Sequence, residues 1–443
     1  MIIANIKSVL SKTDWLIIII STLLTISGIL FVYSSGINAS GVLVSDEYLK
    51  QIFWAIISFL LLISFLLVKQ KLVFEYSFII YVFFIILLFY TLVFGRVVNG
   101  SRSWIGVGSF GIQPSEFAKI STIIFLSKYL SSTIHEAGSF RRFVISGLIV
   151  LLPFILIAMQ PDFGTAIVFI PLYLFIAFFL KINLKYLYFL VGLAATIILF
   201  ILLPLWQNLA LEKPIDILRI FYETPFVIYV YILGTVIMLL SLLGYFYFKK
   251  KYYFWIFSSA VIFIIGLGVA NLISGLLKDY QMMRLIVFFD PHIDEHGSGW
   301  HILQSLTAIG SGGLTGKGFL LGTHSHYRYL PTQSTDFIFS IISEELGFLG
   351  AGIIIFAYFI LVIRLFIIMN RTRDYFSLGM VSGISGLLVF HFVVNVGMTI
   401  GIMPITGIPL WFLSYGGSAL VAINIGLGCA LSAGARRFEI ERN

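Results

Sequence analysis

Between Gly275 and Asp336 the chain is polar and glycine-rich, whereas the sequence on either side is almost continuously apolar. Polar and ionisable groups are expensive in a bilayer and are kept where they bind or react. The sharpest of them is Asp336, in Leu330-Pro331-Thr332-Gln333-Ser334-Thr335-Asp336-Phe337, where the polar stretch enters a strongly apolar run. A carboxylate at such a boundary is placed to act as a general base. Capping of the following helix by Thr335 or Asp336 is the plainer role for the same residues. Upstream, in Gln113-Pro114-Ser115-Glu116-Phe117-Ala118-Lys119, the proline suits a first helical turn, and Glu116 and Lys119 share one face at i, i+3. They pair below the membrane surface, either as a neutralised pair that permits burial or as part of a site. Arg102, beside Trp104, is an interfacial anchor or an anion-binding arginine. Asp162, in Gln160-Pro161-Asp162-Phe163-Gly164-Thr165, is a helix cap or an acid that helps to hold a metal. The glycines of Ile309 to Gly313 and of Gly316-Lys317-Gly318 offer backbone N–H groups that suit an anion, although turns alone also call for glycine. This spacing matches neither a Walker motif nor a dinucleotide fingerprint. Glu344 and Glu345 are adjacent on one helix, so at least one points into the bundle. His292, His296, His301, His324 and His326 show no zinc-site spacing and read as solvated loop residues.

The elements that carry these residues are membrane helices. The chain is 60% hydrophobic and only 11% charged, against roughly 25% charged in soluble domains. Apolar runs near 15–36, 51–68, 76–94, 115–131, 143–159, 165–180, 187–206, 226–248, 253–275, 337–369, 377–402 and 410–435 predict about twelve transmembrane helices, the 337–369 run being too long for one straight span. The first run lacks a small-residue cleavage site and reads as an uncleaved signal anchor. Basic residues orient the bundle. With the N-terminus inside, the inner connections hold Lys69, Lys71, Lys128, Arg141, Arg142, Lys181, Lys185, Lys249 to Lys251, Arg364, Arg371, Arg373, Arg436, Arg437 and Arg442, while the short outer ones hold only Lys50, Arg96, Arg102, Lys213 and Arg219. Both termini are therefore expected in the cytoplasm, and every polar motif falls on the outer side. That asymmetry favours an enzyme of the outer face over a channel, which needs polar groups through its depth. The net charge of +8 is spread over loops, which argues for topology and against a nucleic-acid partner. A single cysteine, Cys429, excludes an intramolecular disulfide.

Taken together, QPSEFAK, QPDFGTA, GSGWHILQSLTAIGSGGLTGKG, STDFIFSIISEELG and GIPLWFLSYGGS resemble the SEDS family of bacterial cell-wall proteins, over most of the chain from about Asn99 onward. Phe289-Asp290-Pro291, Trp300-His301-Ile302 and Gly322-Thr323 lie closer to its elongation member than to its division member. The resemblance implies one SEDS-type transmembrane domain over 1–443, a peptidoglycan glycosyltransferase of the inner membrane that polymerises lipid II on the outer face. It places the catalytic base on Asp336 and substrate binding on Arg102, Glu116, Lys119, Asp162, Lys317 and Ser414. It names no certain cofactor and leaves a divalent cation, magnesium or manganese, as an open option. The implied partners are lipid II, a class B penicillin-binding transpeptidase, other membrane proteins of the elongation complex and membrane lipid. Two departures stand out. Ser334 occupies a position where the family usually has histidine, and residues 186–251 read as a helical hairpin inserted into a core of about ten helices. Residues 276–336 then form a large extracytoplasmic loop bearing site residues. The competing readings are a lipid II flippase or other transporter, for which no internal repeat is evident, a division-type polymerase, and a scaffold that would tolerate loss of Asp336.

Overall fold

The computed structural model describes residues 2–98, 100–107, 110–210, 215–223, 226–275, 279–294, 297–330 and 332–436. Lys213, His296, Pro331, Arg437 and Arg442, singled out above, lie outside them. In chain order the helices are α1 (Ile2–Lys12), α2 (Trp15–Ser35), α3 (Glu47–Leu67), α4 (Gln70–Phe94), α5 (Pro114–Ser132), α6 (Phe140–Met159), α7 (Phe163–Ile167), α8 (Phe169–Phe179), α9 (Leu184–Ala210), α10 (Phe226–Phe248), α11 (Lys251–Ser274), α12 (Asp279–Phe289), α13 (Ser298–Ser311), α14 (Thr323–His326), α15 (Ile338–Arg371), α16 (Tyr375–Thr399) and α17 (Gly417–Ala435). Among the described residues, ten helices are long and apolar enough to cross a membrane. The two remaining expected runs are also helical. The 115–131 run is α5, which carries Glu116 and Lys119, and the 165–180 run is the short pair α7 and α8. All-helical membrane architecture follows from the need to satisfy backbone groups within each segment.

The connection from α4 to α5 is not a plain loop. It folds into a three-stranded antiparallel sheet, β1 (Arg96–Val98), β2 (Ser101–Val107) and β3 (Phe110–Ile112), in the order β1-β2-β3. Alternation over so short a stretch is masked in the sequence by its glycines and serines.

The chain divides into two compact units, Met1–Ile182 with Gln304–Asn443, and Asn183–Leu303. In the first, the elements run between two chemically different ends. One end is basic. Fully buried Arg142 donates to the Leu130 carbonyl (2.7 Å) at the close of α5 and to the Leu180 carbonyl (2.9 Å) after α8. Arg436 reaches the Leu67 carbonyl (2.7 Å) at the close of α3, and Arg364 pairs with Asp14 (2.6 Å) before α2. Arg142 and Arg436 thereby satisfy helix-end carbonyls, and Arg364 ties α15 to the residue before α2. The opposite ends of the same helices carry the polar motifs. α17 is almost wholly buried, and its Gly, Ala and Ser residues let α3 approach closely.

α15 breaks at Gly347, whose φ of 66° and ψ of −165° lie outside the helical region and suit glycine. The break frees the carbonyls of Glu344 and Glu345 and the N–H groups of Phe348 and Leu349. The preceding glycine-rich stretch satisfies them: Lys317 N–H donates to Glu344 O (3.1 Å), Gly318 N–H to Glu345 O (3.0 Å), Phe348 N–H to Gly313 O (2.9 Å) and Leu349 N–H to Leu314 O (3.1 Å). At membrane depth such pairing is obligatory.

In the second unit, α9, α10 and α11 pack around Phe200, Val227, Leu267 and Ala270, with Phe200 edge-on to Phe263 at 5.3 Å. Outside this small core, α10 presents mostly exposed apolar side chains, such as Leu233 and Leu240. A helix apolar all round is one that lipid covers.

Candidate active site

Asp336 lies on a turn, its N–H donating to the Thr332 carbonyl (3.0 Å), one residue before Phe337 caps α15 without any side-chain cap bond. The Thr335 hydroxyl turns back to the Thr332 carbonyl (3.2 Å). The carboxylate is half-buried, and a Cβ placed on Gly407 would stand 3.7 Å from its Oδ2. Gly407 belongs to the stretch 400–416, which is irregular although the sequence predicted a helix from 410. Its backbone is held by side chains. Asn395 of α16 donates to the Asp336 carbonyl (3.0 Å) and to the Ile408 carbonyl (2.9 Å). The Ser414 hydroxyl accepts from Leu410 N–H (2.8 Å) and donates to the Thr335 carbonyl (2.5 Å). Gln51 of α3 donates to the Ser414 carbonyl (3.1 Å) and accepts from Gly416 N–H (3.2 Å). Buried irregular backbone requires such partners. Asp336 is therefore carried on a frame fixed from α3, α16 and the 400–416 stretch.

The QPSE and QPD motifs join the same frame. Asp162 does cap α7, accepting from Thr165 N–H (3.2 Å), and also accepts from the Gln113 amide (3.0 Å). Gln113 N–H donates to the Ser418 hydroxyl (3.0 Å), tying the start of α5 to that of α17. A Cβ on Gly164 would meet the Thr406 carbonyl at 2.2 Å, so α7 touches the 400–416 backbone directly. Arg102 is exposed on β2. Its backbone N–H donates to the Gln160 carbonyl (3.2 Å), which sets the sheet beside the QPD turn.

Glu116 and Lys119 form the expected pair at 2.8 Å, and both are almost fully buried, at 3% and 1% side-chain exposure. Sequence reading missed their third member, His391. Lys119 Nζ lies 3.3 Å from His391 Nε2, and His391 Nδ1 lies 3.1 Å from the Pro409 carbonyl. The imidazole stacks on Trp411 at 3.8 Å. His391 and Asn395 sit one turn apart on α16, a spacing visible in the sequence as two polar residues on one face of an apolar helix.

Lys317 is engaged elsewhere. Its Nζ donates to Glu344 Oε1 (2.7 Å) and to the Thr323 hydroxyl (2.7 Å). Glu344 also accepts from His324 N–H (2.9 Å) and Ser325 N–H (3.3 Å), while Glu345 accepts from the Ser34 hydroxyl and from Leu320 N–H (3.1 Å). Both glutamates point inward and staple the 317–326 segment to α15, and Glu345 adds a tie to α2. The histidines are less solvated than expected: His292 is exposed, but His301, His324 and His326 are half-buried. Burial holds the His326 imidazole below its ordinary range, and the Glu344 carboxylate partly counters this. His301 is lowered as well, by burial first and then by Arg284. Among the described residues no three His, Cys, Asp or Glu side chains converge to hold a metal ion.

The family model described as a cell cycle protein family, FtsW/RodA/SpoVE, matches residues 14–216 and 215–437. The chain belongs to the FtsW/RodA/SpoVE family. Peptidoglycan glycosyltransferase RodA of Treponema pallidum (strain Nichols) is 45% identical to this member over 96% of the chain and 98% of the relative. Peptidoglycan glycosyltransferase MrdB of Escherichia coli (strain K12) is 29% identical over 79% of this chain and 75% of its own. Among solved structures, a chain of a peptidoglycan synthase complex that coordinates polymerization and crosslinking matches with a TM-score of 0.66 at 25% identity, covering 96% and 99% of the two chains. The crystal structure of the rod shape-determining protein RodA of Thermus thermophilus matches with a TM-score of 0.59 at 22% identity, over 96% and 98%. Like its family, this member is a multi-pass protein of the bacterial cytoplasmic membrane.

Proposed function

We propose that this chain is a peptidoglycan glycosyltransferase of cell elongation, polymerising lipid II on the outer face of the cytoplasmic membrane with Asp336 as general base. The observation that carries the reading is the placement of Asp336, a half-buried carboxylate on a frame built from α3, α16 and the 400–416 stretch. The 45% identity to a RodA glycosyltransferase over nearly the whole chain supports both the activity and the elongation role. On this reading the acceptor sugar hydroxyl passes its proton to the Asp336 carboxylate as its oxygen bonds to the donor's anomeric carbon. The donor's bond to the undecaprenyl diphosphate breaks, and its electron pair leaves on the diphosphate oxygen. A rigid frame lowers the barrier because the base needs no reorganisation at the moment of reaction.

Of the proposed substrate-binding cations, Arg102 is exposed and its guanidinium makes one long bond, to the Val93 carbonyl (3.4 Å), with no carboxylate paired to it among the described residues, so it suits a diphosphate best. Lys119 and Lys317 are committed to Glu116 and Glu344. Ser414, Asp162 and Glu116 serve by shaping the wall around Asp336. Asp14 and Arg436 lie at the basic end of the first unit, which supports cytoplasmic termini. We read 1–443 as a single domain of the family, in keeping with the two matched segments that together run from 14 to 437, with 186–251 as an inserted hairpin and 276–336 as its outer loop. A class B penicillin-binding transpeptidase is the proposed partner, by likeness to the synthase complex.

The test is polymerisation of labelled lipid II by the purified full chain with its cognate transpeptidase, wild type against Asp336→Asn of matched thermal stability. Glycan strands from the wild type and none from the variant are expected. Equal product from both would remove Asp336 as the base.

A further inference from the structure

Behind the wall that faces Asp336 lies a buried polar chain whose middle member has no role in the reading above. His391 is 1% exposed, on a helix otherwise apolar around it. Its two ring nitrogens face different partners: Nδ1 the Pro409 carbonyl at 3.1 Å, and Nε2 the Lys119 ammonium at 3.3 Å. One tautomer serves both, with the Nδ1 hydrogen donated to the carbonyl and the Nε2 lone pair accepting from the ammonium. Lys119 is held in turn by Glu116 at 2.8 Å. One turn along α16, Asn395 holds the adjoining Ile408 carbonyl and the Asp336 carbonyl. Successive carbonyls of the 400–416 stretch, immediately after Gly407, are thus suspended from successive turns of one helix. Asn395 links that stretch to Asp336, and His391 links it to the ion pair in α5. Packing alone does not require this. A phenylalanine at 391 could keep the stack on Trp411, now at 3.8 Å, without burying two more polar atoms.

We propose that His391 is a positioning residue for glycosyl transfer, joining the Glu116–Lys119 pair to the Pro409 carbonyl and so holding the Gly407 segment in place against Asp336. The inference rests on Asp336 being the base. His391 sits behind the wall, bonded to the Pro409 carbonyl and stacked on Trp411, so its loss misplaces the reacting groups without removing a surface that binds substrate. Such misplacement lowers kcat more than it changes KM.

The experiment is steady-state polymerisation of labelled lipid II by the full chain with its cognate transpeptidase, comparing wild type, His391→Phe, His391→Gln and Asp336→Asn, with a thermal midpoint for each. His391→Phe keeps the stacked ring and loses both hydrogen bonds. His391→Gln keeps one donor and one acceptor. The expected result is a kcat lowered about 10- to 100-fold in His391→Phe with KM within about twofold, and recovery to within about threefold of wild type in His391→Gln. If His391→Phe does not fold, His391→Met takes its place with the same expectation. Wild-type kcat in the apolar variant, or a glutamine variant no better than the apolar one at equal midpoint, overturns the inference while leaving the function standing. Activity retained in Asp336→Asn overturns both.

Discussion

Removing Lys317 should harm the protein more than removing Lys317 and its partner together. Glu344 is 0% exposed and Lys317 25% exposed, with their charged atoms 2.7 Å apart. In Lys317→Met the buried carboxylate keeps the Thr323 hydroxyl and the N–H groups of His324 and Ser325 but loses the cation that pairs with it among the described residues. Breaking a buried pair from one side costs about 3–5 kcal/mol, and the three surviving donors place this case near 3. Glu344→Gln leaves a lysine that can turn to water and an amide that still accepts from Thr323 and His324, so about 1 kcal/mol is expected. The double variant has no stranded charge and should resemble Glu344→Gln. For a chain of this size, about 3 kcal/mol lowers the thermal midpoint by about 3 °C. Tryptophan fluorescence during heating of detergent-purified protein reads the series, and the glutamine substitution should recover most of the loss in Lys317→Met. A double variant as unstable as Lys317→Met, or less stable, would refute the claim that a stranded buried charge is the cause.

Two further outcomes follow from the same geometry. Gly164→Val places side-chain atoms on the Thr406 carbonyl, only 2.2 Å from the Cβ position, so the 400–416 stretch must move. Lipid II polymerisation should fall at least tenfold, while the midpoint drops by an amount corresponding to about 1–3 kcal/mol; wild-type turnover would show that α7 does not set this wall. His326 is held below its ordinary range by burial, so the folded state resists its protonation. Its contribution to stability is complete above about pH 6.5 and is lost as pH falls from there through the lowered folded-state value. Thermal midpoints measured across pH 7.5 to 5 should decline less in His326→Gln than in wild type.

The helical character of the first unit was legible because a bilayer permits few alternatives, and long apolar runs broken by charged connections leave little freedom of assignment. The pairing of Glu116 with Lys119 was legible for a local reason, since i, i+3 spacing fixes a common face. Asp162 as a cap was legible in the same way. The histidine cluster misled, because exposure of a loop residue depends on what folds over it; His326 is covered because Glu345 is there to face it at 4.0 Å. The sheet at 96–112 and the irregular stretch at 400–416 were also hidden. Apolar composition at 410–413 predicts helix, whereas the backbone there is extended or turned, and the residues flanking it, Ile408, Pro409 and Ser414, are held by Asn395, His391 and Gln51 from other elements.

By itself the sequence determined the class of the protein, the residues rich enough in chemistry to matter and the family they resemble, because each is written in composition, short spacing or contiguous motif. Only the tertiary structure decided which of those residues share a frame. Asp336, Ser414, Asp162 and Gln113 converge through hydrogen bonds that join distant segments, and Lys317 is drawn away to Glu344 by a break at Gly347. His391 acquired its place in the same manner. Long-range partners of a buried polar group are set by the requirement that every such group be satisfied, and that requirement acts on the folded chain as a whole.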